Sequence, residues 1–214
     1  MASPGVARSG RSRGLGTRRK KVRAQRRLTS LKKQAAREGA LFELWYADGV
    51  RFDLLPSVRS AWRRRGQRLA LPTPGKNVHV GVVGAVRYPT GDFRFAHQPK
   101  SVTSALFLAL LPRLVERAKR TGRRIVLVLD NGGCFTSRAS TAAIEAAKPY
   151  VRVFWLPRYS SETLNWIEGF WEELKATYFS RMLTADRDSF YGAAVHLLRH
   201  VRRRGKLPTR VATP

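Results

Sequence analysis

A chain of 214 residues with 43% hydrophobic residues and five tryptophans has room for one sizeable core, which excludes a wholly disordered protein. Its 42 Lys and Arg against 14 Asp and Glu leave +28, and 13 of the cations fall in the first 37 positions, where no acid occurs. The remaining 29 cations against 14 acids still carry +15, so body and tail alike call for a polyanionic partner, with nucleic acid the default and a membrane surface the weaker option.

Residues 1 to about 18 are rich in Gly, Ser and Arg and are expected to be disordered. No apolar stretch follows the charged start, which argues against a secretory signal, while the Arg- and Ser-containing, acid-poor composition leaves an organelle transit peptide as a minor alternative. Residues 19–38 have helical spacing, with Val22, Leu28, Leu31 and Ala35 making a thin apolar stripe; a solvated basic helix and a DNA-contacting one both fit. Gly39 stops it.

Strand signals follow. They cover 41–48, ending in an aspartate, then 51–56 after Gly49, a short segment at 67–72, and the β-rich run 78–88. "PTG" turns that run into 92–97 as a hairpin. A helix is predicted over 101–122, opened by a Ser cap, interrupted by Pro112 and stopped by Gly122. No run in the chain approaches 18 apolar residues, so no transmembrane helix is expected. A strand at 123–129, a helix near 137–148, a strand at 151–157 and helices at 163–180 and 186–204 complete the pattern. Antiparallel strands followed by strands alternating with crossover helices imply an α/β mixed sheet, its later strands parallel. The organisation expected is a basic tail over 1–40 containing a helix, a folded domain over 41–205, and a C-terminal tail over 206–214. Cys134, the only cysteine, excludes an internal disulfide and fits a reducing compartment; it reads as an incidental thiol among turn residues.

Where so few acids fall is informative. Asp48 ends the first predicted strand, and Asp130 ends the apolar run Ile125–Leu129 ahead of Asn131-Gly132-Gly133. Asp130 reads either as a strand terminator, since Asp and Asn favour turns, or as a metal ligand. If the two strands are neighbours, their carboxylates meet at the end of the sheet where open α/β folds bind ligands. Like charges brought together need a cation, and Mg²⁺ suits carboxylate oxygens. A third acid would allow two ions about 3.5–4 Å apart, the arrangement for in-line attack on a phosphodiester. That acid should come from the helix whose apolar stripe is Leu164, Ile167, Trp171 and Leu174. Glu168 lies beside the stripe, Glu162 precedes it as the rival, and Glu172 and Glu173 are expected to face solvent.

These segments resemble a known family. "LVLDNGGCFTS" and "VFWLPRYSSETLNWIEGFWEELK" are similar to the core of the DDE transposases of bacterial insertion sequences related to Tc/mariner, and "LWYADGVRFDLLPSVRSAWRRRGQ" and "VHVGVVGAVRYPTGDF" extend the likeness over about 41–180. The resemblance implies an RNase H-like fold and a catalytic, metal-holding triad of Asp48, Asp130 and Glu168, favouring Glu168 over Glu162 and a ligand over a terminator at Asp130. Asn131, Asn165 and Trp171 also match, Asn165 as the expected cap of the Glu168 helix and Trp171 as core. Four positions depart from the pattern: Gly49 replaces an acid, Phe135 a histidine and Trp166 a proline, and "SSET" is a residue longer. The helix-turn-helix region that the family carries upstream is replaced by the basic tail, as in a fragment or second reading frame, or in a chain whose tail supplies crude DNA affinity.

The resemblance further implies two-metal chemistry, with Asp48 and Asp130 holding Mg²⁺ (Mn²⁺ able to substitute) and Glu168 completing one coordination shell. Such a site hydrolyses an element end, and the freed 3′-OH then attacks target DNA. Arg63 to Arg65 and Arg158 are candidate phosphate contacts, each also readable as plain solvated charge. The partners implied are element ends and target DNA, bound by a homodimer or higher oligomer in the cytoplasm at the nucleoid. A catalytically inactive DNA-binding remnant and an RNase H-like nuclease of other biology are the alternatives. A basic RNA-associated protein would explain the charge but not the placement of the acids.

Overall fold

The computed structural model describes residues 10–54, 78–182 and 186–204. Strands β1 (Phe42–Asp53), β2 (His79–Tyr88) and β3 (Phe93–Pro99) form an antiparallel meander, and β4 (Arg124–Leu129) and β5 (Val151–Trp155) add to β1 in parallel. The sheet order is β3-β2-β1-β4-β5, so β1 and β4 are neighbours at the point where pairing changes from antiparallel to parallel. The helices are α1 (Gly10–Ala35), α2 (Ser104–Thr121), α3 (Gly133–Thr136), α4 (Arg138–Ala147), α5 (Ser161–Leu164), α6 (Ile167–Thr177) and α7 (Arg187–Arg204).

Strand side chains alternate between faces, and here each face has its own core. Leu44, Tyr46, Val50 and Phe52 of β1 pack with Val128 of β4 under α1, α6 and α7, through Leu28, Leu31, Ile167, Trp171, Phe190 and Leu198. Trp45, Ala47, Ile125, Leu127 and Leu129 face the other way, toward Phe107, Leu110 and Leu114 of α2. The run Ile125–Leu129 is apolar throughout because a central parallel strand is covered on both sides. The mixed sheet flanked by helices is the α/β architecture expected.

Several local expectations are corrected. The two segments predicted on either side of Gly49 join in the single strand β1, Phe42–Asp53, and residues 55–56 lie outside the described ones: the antiparallel ladder with β2 continues through Gly49, paired with Val83, and holds the glycine extended. Asp48 therefore lies within β1, not at its end. The first helix starts at Gly10, inside the stretch expected to be disordered, because a helix anchored by packing extends at the cost of only one residue per added hydrogen bond. Its buried face is Ala24, Leu28 and Leu31, whereas Val22 is 46% exposed. Thr103, not a serine, takes the N-cap position of α2 and makes no side-chain cap bond; Pro112 lies inside that helix and Gly122, at φ 66°, ends it. The predicted helix 163–180 is divided into α5 and α6 by Asn165, which is extended at φ −87° and ψ 104°. The predicted segment 67–72 and Arg63 to Arg65 lie outside the described residues.

Candidate active site

The register of the sheet brings Asp48 and Asp130 to one place. Tyr46 pairs with Val128 at the end of the β1–β4 ladder, so two residues on, Asp48 within β1 stands level with Asp130, the residue just after β4. Such strands run about 4.8 Å apart. Both acids share the parity of Tyr46 and Val128, which face the core containing α6. Glu168 stands in the first turn of α6, beside the buried Ile167 and Trp171. The rival Glu162 is exposed on α5, while Glu168 is half-buried. Glu172 is exposed as expected, and Glu173 is half-buried rather than free in solvent.

The electrostatics tie the three acids together. Burial, the Glu168 charge and, more weakly, the Asp130 charge push the Asp48 carboxyl up to about 7. Glu168 is raised as well, by burial first and Asp130 next. Among the described residues no Lys, Arg or His lies within ion-pairing distance of any of them. Glu43 shows what this chain ordinarily does with a buried acid. Burial pushes its carboxyl up, but hydrogen bonds from Arg117 at 2.6 and 3.0 Å and from Trp45 Nε1 at 2.8 Å outweigh that and hold it below the usual range. Three mutually repelling carboxylates in a cation-rich chain fit a divalent cation with oxygen ligands. Among the described residues no group of three or more His, Cys, Asp or Glu side chains stands close enough together to hold a metal ion. A pair of ions held by one or two carboxylates each does not require such a group.

Neighbouring residues hold this arrangement. Gly132 N–H donates to Asp130 Oδ1 at 2.9 Å, and Asn131 Nδ2 donates to the Leu156 carbonyl at 2.7 Å, tying the end of β4 to the chain after β5. Asn165, expected to cap the Glu168 helix, does not do so with its side chain; Trp166 takes the N-cap position. The Asn165 backbone carbonyl accepts from Glu168 N–H at 3.1 Å, while its buried Nδ2 donates to the Ala47 carbonyl at 3.2 Å, linking the start of α6 to the residue before Asp48. The Trp171 indole Nε1–H comes near enough to Asp48 to oppose the rise of its carboxyl, yet it falls short of a well-formed hydrogen bond and has no other partner. Sequence reasoning identified Trp171 only as core and missed Gly84, which pairs with Asp48 across the ladder. A Cβ on Gly84 would stand 2.5 Å from Trp171 Cη2 and 2.8 Å from Phe93 Cε2. Both rings are buried and cannot retreat. Gly84→Ala is therefore expected to lower stability by about 1–3 kcal/mol through overpacking and to displace α6 with Glu168. An unchanged melting temperature would show that the indole has room to move.

The departures from the family pattern have packing reasons. A side chain at Gly49 would meet Val102 Cγ1 at 2.7 Å, so the chain entering α2 closes the space an acid would need. Phe135 is buried edge-on against Phe107 at 5.1 Å, a core position here. Trp166 packs against Tyr46 at 6.1 Å and Tyr88 at 5.3 Å. Cys134 is pushed up to about 12 by burial and the charges of Asp130 and Asp48, which leaves it a protonated thiol and not a nucleophile.

The raised Asp48 carboxyl sets a pH dependence. Its folded value of about 7 lies above its ordinary 3.8, so the folded state retains the proton that the unfolded chain releases. The resulting stability is complete below about pH 4 and is lost as pH rises to 7. With chelator present, Asp48→Asn should be more stable than the parent at pH 8 by about 2 kcal/mol, a discounted share of 1.4 kcal/mol per unit, and equal to it at pH 4. Denaturant midpoints that stay parallel across this range would show that Asp48 carries no such strain.

The family model described as DDE superfamily endonuclease matches residues 43–190. The Insertion element IS630 uncharacterized 39 kDa protein of Shigella sonnei is 33% identical over 134 residues, which are 63% of this chain and 38% of that protein, so the chain spans well under half of its relative's length. A Mos1 mariner paired-end complex solved with Mn superposes with a TM-score of 0.63 at 14% identity, covering 96% of this chain and 62% of that one. The catalytic domain of the Mos1 mariner transposase gives 0.53 at 15% identity, over 87% and 86% of the two chains. At these identities the superpositions establish the fold, which is RNase H-like. The chain belongs to the DDE superfamily endonucleases, and it is similar to an IS630 insertion-element protein in sequence and to mariner transposase structures in fold.

Proposed function

We infer that this protein is a transposase that cleaves DNA at the ends of an insertion element and joins them to a target, with Asp48, Asp130 and Glu168 as its catalytic, metal-holding residues. The observation that carries this reading is the alignment of Asp48 and Asp130 at neighbouring strand positions with Glu168 close enough to raise the Asp48 carboxyl to about 7, with no cation paired to it among the described residues. Asp48 and Asp130 would hold Mg²⁺ or Mn²⁺ jointly, and Glu168 would complete one coordination shell. Bound divalent ions supply an activated water and offset charge on the leaving 3′-oxygen. The chain's own part is to fix the ligands: Gly132 N–H and Asn131 orient the end of β4, and Asn165 fixes the start of α6 against β1.

Mos1 transposase has been solved with a transposon end and with Mg or Mn, and for this chain such partners and ions are part of the same proposal. Residues 41–205 would form the catalytic body and the basic segment 1–40 a DNA-contacting arm, with exposed Arg158 on the site's rim holding phosphate. Two element ends call for at least a dimer, working at the nucleoid. No helix among the described residues is long and apolar enough to cross a membrane. The test is incubation of the purified chain with duplexes carrying the flanking DNA of its own element. Nicking that needs Mg²⁺ or Mn²⁺ and stops with chelator is expected. Binding without nicking under any divalent ion would leave only a DNA-binding remnant.

A further inference from the structure

The turn between β5 and α5 holds an aromatic ring in solvent at a cost in backbone strain. Tyr159 is 94% exposed and has φ 59°, the left-handed region that side chains other than glycine and asparagine rarely adopt. Both ends of the turn are pinned. Leu156 N–H donates to the Leu129 carbonyl at 2.8 Å, and the Leu156 carbonyl accepts from Asn131 Nδ2. Buried Ser160 donates through Oγ to the Pro157 carbonyl at 2.6 Å, while its own carbonyl accepts from Leu164 N–H at 2.9 Å. A ring that contributed to packing would be buried, and a turn that only needed the left-handed conformation would hold glycine. Neither explains a tyrosine here.

Its location supplies the reason. Leu129 pairs with Trp155, so Leu156 stands beside Asp130 at the end of the parallel strands. Tyr159 follows three residues later, within about 11 Å of chain reach, and the turn then leads through α5 toward Glu168. Exposed Arg158 precedes the ring. We propose that Tyr159 is a stacking platform for an unpaired base next to the scissile phosphate, with Arg158 on the adjoining backbone. Aromatic rings beside cations bind unpaired nucleotides in this way, by a π-face contact that every base can make. A second copy of the chain is the poorer occupant, since each copy carries +28. The inference rests on the transposase reading, but its test does not depend on cleavage.

The full chain is titrated in chelator with a blunt duplex and with the same duplex bearing a short unpaired tail that contains 2-aminopurine. The parent and Tyr159→Phe should favour the tailed duplex and quench its fluorescence. Tyr159→Asn, which suits the left-handed backbone and so spares the fold, should lose about tenfold in affinity for the tailed duplex and nothing for the blunt one. Equal losses on both duplexes, a Phe variant as weak as the Asn variant, or no preference in the parent would each overturn the platform. So would a change in sedimentation of the DNA-free protein with DNA binding unaltered, which would assign the ring to a protein contact. Tyr159-dependent quenching in a chain that never nicks DNA would uphold the platform and sink the catalytic reading alone.

Discussion

Asp130→Asn is expected to reduce metal-dependent DNA cleavage by about a thousandfold or more while leaving the fold intact. Asp130 has two roles that this substitution separates. Its Oδ1 accepts the Gly132 N–H at 2.9 Å and shapes the turn after β4, a bond the asparagine carbonyl can also accept. Its charge raises the Glu168 carboxyl and contributes to raising Asp48, and that charge is what would hold a cation. Losing about 4 kcal/mol of charge stabilisation in the transition state corresponds to a thousandfold at 1.36 kcal/mol per decade. Unfolding midpoints in chelator should match the parent or exceed it, because one of three repelling charges has gone. Single-turnover nicking at saturating Mg²⁺, repeated with Mn²⁺, is the measurement. A variant that cuts as fast as the parent would return Asp130 to the role of strand terminator.

How far the sequence could be read depends on the range of the interactions involved. The β-branched runs that became β2 and β4 identified themselves locally, as did the stripe Leu164, Ile167, Trp171 and Leu174, all four of which are buried. The parity of Asp48 and Asp130 followed once the strands were adjacent. Glu168 was less legible: spacing left Glu162 open, and the family motif favoured Glu168. What escaped was set at a distance. The length of β1 is imposed by its ladder with β2, which overrides the local signal of Gly49. Asn165 looks like a helix cap in sequence, but its side chain donates to a carbonyl 118 positions earlier. Gly84 reads as an ordinary weak point in a strand until the Trp171 ring is placed over it. The burial of α1 was hidden because Ala24 is too small to register as part of an apolar stripe, while Val22, which does register, is exposed.

That buried helix changes how the basic segment must be tested. Residues 1–37 hold 13 cations and no acid, and each phosphate they neutralise should add about −0.9 to the slope of log affinity against log salt. Deleting the whole segment would also strip Ala24, Leu28 and Leu31 from the core. It would remove Lys32 as well, whose ammonium lies 5.8 Å from the Tyr46 ring and 5.3 Å from that of Tyr88, so lost binding could not be told from lost folding. The cations to change are Arg19, Lys20, Arg23, Arg26, Arg27 and Lys33, all exposed on α1 and extending over about 21 Å of helix. Replacing these six by glutamine should leave the melting temperature unchanged and flatten the salt slope by about 5 if each meets a phosphate. Affinity should fall alike for element ends and for random duplexes, because phosphate contacts carry no base information directly. A loss confined to one element end, with random DNA bound as before, would make α1 a sequence reader and remove the case for general phosphate affinity. Fluorescence anisotropy over a series of salt concentrations, run with both kinds of duplex, distinguishes the two outcomes.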